Sequence, residues 1–204
     1  MKRTRSILLV GVGGQGTVLA SRLLGNVLKL DGYDVKVSEV HGMSQRGGSV
    51  VTYVKYGTAV YSPLIDMGEA DYIISFELLE AARYICYLTE NGRLITSTQR
   101  IDPMPVITGN MVYPEDTLNE LRNITSAPIT AVDALALAKQ AGSAKASNVV
   151  LMGVLSAYMN ISEDLWEAAL QTTVPPKFYE LNKKAFALGR AAGKEELDGN
   201  QCKK

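Results

Sequence analysis

Ser6-Ile7-Leu8-Leu9-Val10-Gly11-Val12-Gly13-Gly14-Gln15-Gly16-Thr17-Val18-Leu19 joins a short apolar run to spaced glycines and then to a helical pattern. A run of this length ending in glycine has the look of a strand buried on both faces. Beyond Gly16 the apolar positions Val18, Leu19, Leu23, Leu24, Val27, Leu28 and Leu30 follow helical spacing, and Asp31-Gly32 closes the segment. Gly11, Gly13 and Gly16 satisfy the G-x-G-x-x-G spacing between a strand and a helix. In that setting the first glycine permits a tight turn, the second a close approach of the backbone to a diphosphate, and the third close helix–strand packing. A diphosphate would rest on the free N–H groups at the helix start.

Working outward, Tyr33 to Val40 alternates Val35, Val37 and Val40 with polar residues and reads as a second strand. Ser49 to Tyr56 and Ala70 to Phe76 read as further strands. A helix is expected over Leu78 to Leu88, stopped by Asn91-Gly92, before a strand over Arg93 to Ser97. Asp102 to Pro114 reads as loop with a short strand near Val106. Pro114 opens a short helix to Arg122, and Ile129 leads into an alanine-rich helix over Ala131 to Ala141. The last third is helical over Ser147 to Met159, Ser162 to Gln171 and Pro176 to Ala192, with Ser162 as an N-cap. The alternation predicts an α/β fold: a doubly wound, mostly parallel, Rossmann-like sheet with a helical C-terminal third. Residues 1–193 form one domain in this reading, and 194–204 a flexible tail. Right-handed crossovers place the ends of the first two strands on one sheet edge. The glycine loop would then share a crevice with the loop His41-Gly42-Met43-Ser44-Gln45-Arg46-Gly47-Gly48.

Gly42, Gly47 and Gly48 let that second loop curl so that several N–H groups point one way, an anion nest. Arg46 adds a planar five-donor fork, and Ser44 and Gln45 add neutral donors. The bland alternative is a solvated turn. His41, the single histidine of the chain, reads as a hydrogen-bonded strand end sooner than as a general base. No nucleophile–base pair and no metal-ligand spacing stands out, so no catalytic residue and no metal site are expected. Cys86, in an apolar run, reads as a buried structural thiol, and Cys202 lies in a polar tail. Two cysteines cannot ligate an iron–sulfur cluster by themselves.

Lys+Arg and Asp+Glu balance at 21 each, so no net field draws the chain to nucleic acid or to an anionic membrane. No window approaches the ~20 apolar residues of a membrane span. The apolar run behind the basic start is too short for a signal peptide. A cytoplasmic location is expected.

With both loops read, the chain resembles the gamma-type subunit or domain of the pyruvate/ketoisovalerate (2-oxoacid):ferredoxin oxidoreductase family, and within it the indolepyruvate type. Gly11 to Gly16 and, more specifically, Glu39 to Ser49 carry the resemblance. Tyr61 to Ile65, Gly68 to Asp71 and Asn148 to Gly153 also fit, and the likeness spans about residues 5 to 190. It implies a subunit of a complex that oxidatively decarboxylates a 2-oxoacid to an acyl-CoA and passes electrons to ferredoxin. Thiamine diphosphate and iron–sulfur clusters would sit on a large partner subunit, and this chain would be inactive alone. Carried onto these residues, Gly11, Gly13, Gly14, Gln15 and Gly16 would approach the diphosphate of coenzyme A, and Ser44, Gln45 and Arg46 would line the same mouth. Two other readings stand beside it. An independent NAD-dependent oxidoreductase would use Glu39 as its ribose-binding carboxylate. A scaffold would only pack its glycine loops against a partner.

Overall fold

The computed structural model describes residues 3–41 and 47–201. Six strands form one sheet: β1 (Arg5–Val12), β2 (Asp34–His41), β3 (Ser49–Gly57), β4 (Ala70–Ser75), β5 (Leu88–Ser97) and β6 (Ile129–Val132). Their spatial order is β2-β3-β1-β4-β5-β6. β1, β4, β5 and β6 run parallel, while β3 lies antiparallel between β1 and β2. The mostly parallel sheet is as expected, but β2 does not neighbour β1. The connection from β2 to β3 is too short for a crossover, which takes a dozen residues or more, so the two strands form an antiparallel hairpin. That hairpin's second strand pairs with β1, Val12 opposite Ser49.

Alternate residues of β1 feed two cores. Ile7 and Leu9 face a layer built from α1 (Thr17–Leu30), α5 (Ala134–Ala141), α6 (Ser147–Ser156), α7 (Glu163–Thr173) and α8 (Tyr179–Gln201). Leu8 and Val10 face α2 (Leu78–Tyr84) and α4 (Thr117–Ile124). The sheet is therefore covered on both faces, which is why β1 reads as a continuous apolar run. Residues Asn148 to Ser156 of α6 are all buried. A helix apolar all round must be enclosed, and α8 closes over its outer side. Gly153 and Gly189 make that crossing possible. A Cβ on Gly153 would lie 2.1 Å from the Phe186 carbonyl oxygen, and one on Gly189 2.0 Å from that of Val150.

Several local expectations need correction. The helix starting at Leu78 ends at Tyr84, followed by a 3-10 turn over Ile85–Tyr87, and β5 begins at Leu88. Asn91-Gly92 sits in an irregularity of β5 instead of stopping a helix. Around Val106 the chain forms one helical turn, α3 (Met104–Ile107), because Pro103 supplies a ready helix start. Ile129–Val132 is a strand, hidden in the sequence by the alanines that follow it. Cys86 is exposed, since the 3-10 turn points it away from both cores. Ser162 stands at the N-cap of α7 but its side chain makes no capping bond. α8 extends to Gln201. Among the described residues no helix is long and apolar enough to cross a membrane.

Candidate functional site: the glycine-loop crevice

β1 delivers the chain to the carboxyl edge of the sheet, and α1 starts at once. Gly16 is the N-cap of α1 with φ +81°, a left-handed conformation that side chains disfavour. Its carbonyl accepts the N–H groups of Leu19 and Ala20 at 3.1 and 3.2 Å, and the Asn148 amide at 3.0 Å. A Cβ at Gly16 would stand 2.4 Å from Asn148 Nδ2. α6 thus clamps the loop from behind, tying the motif at Asn148 to the one at Gly16 across 132 residues. Among the described residues, the N–H groups of Gly14, Gly16, Thr17 and Val18 have no protein acceptor. That is the free donor set a helix start offers to an anion.

Gln15 turns its amide inward. Its Oε1 accepts the Val12 N–H at 2.7 Å, and its Nε2 donates to the Phe76 carbonyl at 2.8 Å. It braces the loop over β4 and leaves its backbone at the groove. Gly11 lies beneath the loop inside β1, where a Cβ would meet Gln15 Oε1 at 2.9 Å and Phe76 Cβ at 3.0 Å. Gly13 donates to the Gly48 carbonyl at 2.8 Å, so the end of the second loop does meet the first. Ser44, Gln45 and Arg46 lie outside the described residues. His41 ends β2 opposite Val50. Glu39, set two strands from β1, accepts a bond from Ser21 Oγ at 3.1 Å.

Above the loop lies a groove of about 710 Å³ lined by Gly13, Gly14, Gln15, Gly16, Gln99, Ile101, Leu135, Ala144, Lys145 and Ser147. Sequence reasoning missed the last six. Lys145, in a 3-10 turn over Ala144–Ala146, forms no ion pair among the described residues and supplies the cation of the crevice. Its one sequence signal was the small-residue stretch Gly142 to Ser147, which leaves the turn open. The wall at Gln99–Ile101 is held by a buried carboxylate. Glu77 accepts the Ile101 N–H at 3.1 Å and the Tyr113 hydroxyl, and caps α2 through the Glu80 N–H at 2.9 Å. Burial, and then the Glu77 carboxylate, push the Tyr113 hydroxyl far above its ordinary pKa. No group of three His, Cys, Asp or Glu side chains among the described residues could hold a metal ion. The described residues of the crevice offer donors to an anion.

Residues 6–192 match the model of the family described as pyruvate ferredoxin/flavodoxin oxidoreductase. The chain belongs to this family. It is 43% identical over 198 residues to the indolepyruvate oxidoreductase subunit IorB of Thermococcus kodakarensis, covering 94% of this chain and 97% of that one. The IorB subunit of Pyrococcus horikoshii is 42% identical over 199 residues, covering 95% and 98%. Among solved structures, the gamma subunit of a keto/oxoacid ferredoxin oxidoreductase from Geobacter sulfurreducens superposes with a TM-score of 0.71 at 24% identity, covering 94% and 99%. A 2-oxoglutarate:ferredoxin oxidoreductase from Magnetococcus marinus, solved with 2-oxoglutarate, coenzyme A and succinyl-CoA bound, superposes at 0.72 with 18% identity. There this chain's fold accounts for 32% of a longer chain. These two likenesses concern the fold.

The second loop is anchored at its far end by another buried acid. Ser49 Oγ donates to Glu80 Oε2 at 2.6 Å, and Arg83 donates to Glu80 Oε1 at 2.8 Å. Burial pushes the Glu80 carboxyl above its ordinary pKa of 4.5, against the pull of Ser49 and Arg83. A carboxyl raised in the folded state contributes stability below its unfolded pKa that is lost as pH rises through the folded value. Glu80→Gln keeps the neutral form throughout and can still accept from Arg83 and donate to Ser49. Its urea midpoint is expected to match the wild type near pH 4 and to exceed it near pH 8. Glu80→Ala, which removes the acceptor shared by Ser49 and Arg83, should cost about 1–3 kcal/mol at either pH.

Proposed function

We propose that this chain is the accessory subunit of an indolepyruvate-type 2-oxoacid:ferredoxin oxidoreductase, seating coenzyme A in the glycine-loop crevice. The complex converts a 2-oxoacid to an acyl-CoA by oxidative decarboxylation. A large partner subunit carries thiamine diphosphate and the iron–sulfur clusters, and delivers electrons to ferredoxin. What carries the reading is 42–43% identity to IorB subunits over nearly whole chains, together with a crevice whose described lining offers backbone N–H groups and Lys145 to an anion. The bound coenzyme A of the Magnetococcus enzyme supports the choice of ligand.

In this chain the diphosphate rests on the N–H groups of Gly14, Gly16, Thr17 and Val18, at the positive end of α1. Lys145 closes one side, and Ser44, Gln45 and Arg46 of the second loop are proposed to add further donors. None of these groups is asked to move a proton. Their contribution is to hold the thiol-bearing arm of coenzyme A at the mouth that faces the partner, and positioning of this kind lowers the barrier by removing orientational freedom beforehand.

The test is reconstitution. The purified chain should contain no iron and reduce no viologen dye with indolepyruvate, and adding the large subunit should restore turnover. Viologen reduction by the chain alone would overturn the assignment. In the complex, Lys145→Ala and Arg46→Ala should each raise the KM for coenzyme A by roughly tenfold, the effect of ~1.4 kcal/mol of lost charge-assisted bonding. The coenzyme A-independent decarboxylation half-reaction should stay near normal. Calorimetry with NADH tests the rival, and tight NADH binding would favour it.

A further inference from the structure

A second polar cavity, of about 430 Å³, lies at the opposite end of the sheet, where the parallel strands begin. With β1 eight residues long, it is about 25 Å from the glycine loop at the usual rise of ~3.3 Å per residue. Arg3, Arg5 and Arg93 line it together with Tyr72, Tyr158 and Asp71.

The three guanidiniums form no ion pair among the described residues. Asp71, the one lining carboxylate, already accepts the Ser6 N–H at 2.8 Å. In a chain of zero formal net charge, three arginines beside a single carboxylate make a local excess of positive charge. Arg93 is also preorganised. Its guanidinium lies 4.1 Å from the centroid of the Tyr158 ring and donates to Thr130 Oγ1 at 3.2 Å. The Tyr158 ring is held in turn, its hydroxyl 2.9 Å from the same Thr130 oxygen and its carbonyl accepting from the Tyr72 hydroxyl at 3.0 Å. Arg5 lines the cavity beside Tyr72, and on its other side shares a lining with Tyr56. One guanidinium fixed by an aromatic ring and a threonine, with two more lining the same cavity, makes a fork for a planar or tetrahedral oxyanion.

We infer that this arginine pocket is a binding site for a small oxyanion, a phosphate or carboxylate group of a free metabolite, separate from the coenzyme A crevice. The inference does not depend on the proposed function. Inorganic phosphate and succinate, titrated separately into the full-length chain by calorimetry at low ionic strength, serve as probes. At least one should bind saturably, and which one does identifies the source of the oxyanion. Arg93→Gln and Arg3→Gln should each weaken that binding about tenfold. Lys145→Ala, in the other crevice, should leave it unchanged. Arg93→Gln could disturb the Tyr158 stack, so thermal melting accompanies it. Arg3 is exposed, and its replacement tests the pocket without touching the core. No saturable binding of either probe would overturn the site, as would affinities unchanged in both arginine variants or lost in Lys145→Ala. Should the anions fail to bind while Arg3→Gln and Arg93→Gln weaken assembly with the large subunit, the pocket is a protein interface and the inference falls.

Discussion

Gly153→Leu is expected to leave no cooperatively folded protein. α6 and α8 cross so closely that even a Cβ at Gly153 would lie 2.1 Å from the Phe186 carbonyl oxygen and 2.9 Å from the Arg190 nitrogen. Both are backbone atoms of α8 and have no rotamer in which to escape. Ordinary overpacking of a core costs about 1–3 kcal/mol because neighbouring side chains shift. Here the helix itself must move, and α8 carries with it Ala185 and Phe186, which pack in the same core as Trp166 of α7. The loss should exceed ~4–5 kcal/mol, comparable to the whole stability of a domain of about 5–15 kcal/mol. Circular dichroism and urea unfolding check this. A Gly153→Leu variant that unfolds cooperatively near the wild-type midpoint would mean the helices are not this close. Gly189→Leu, whose Cβ would meet the Val150 carbonyl at 2.0 Å, should fail in the same way.

The second large effect is expected at Gly16, and it separates folding from binding. Gly16→Ala meets two penalties. A left-handed backbone costs a residue with a Cβ about 1–2 kcal/mol, and the new methyl lies 2.4 Å from Asn148 Nδ2. If the loop yields, the N–H groups of Thr17 and Val18 turn away from the groove. The affinity for coenzyme A in the assembled complex should then drop by about a hundredfold, the equivalent of ~2.8 kcal/mol. The chain, with both cores intact, should remain folded. Gly16→Ala combined with Asn148→Ala removes the clash but not the backbone strain, so it should recover part of the lost stability and little of the binding. Full affinity in Gly16→Ala would place the diphosphate elsewhere.

The structure sharpens the role of each glycine-loop residue without changing where the loop lies. Gly13, Gly14 and Gly16 face the groove, Gly11 makes room beneath it, and Gln15 braces it with a side chain committed to Val12 and Phe76. A motif of this kind is readable because its constraints are local: one strand, one turn and one helix start, all within about fifteen residues. The pairing of the two loops was legible for a similar reason, since chain ends on one sheet edge follow from the handedness of crossovers. Their actual meeting, Gly13 with Gly48, came through a hairpin strand placed between β1 and β2.

The sequence by itself determined the α/β class, the glycine loop and the family, because apolar periodicity and short motifs report on local geometry and on side chains that face the nearest core. Only the tertiary structure decided the rest. Lys145 reaches the crevice because the turn between α5 and α6 lies beside the glycine loop. Glu77 and Glu80 became buried anchors because α2 folds over β4 and β5. Cys86, in an apolar run, became exposed because a 3-10 turn ends the helix early. Arg3, Arg5 and Arg93, unremarkable as surface charges in the chain, meet because parallel strands all begin at one edge. Each of these depends on contacts between residues far apart in sequence, and a period or motif, which spans a few turns of chain, carries no record of such contacts.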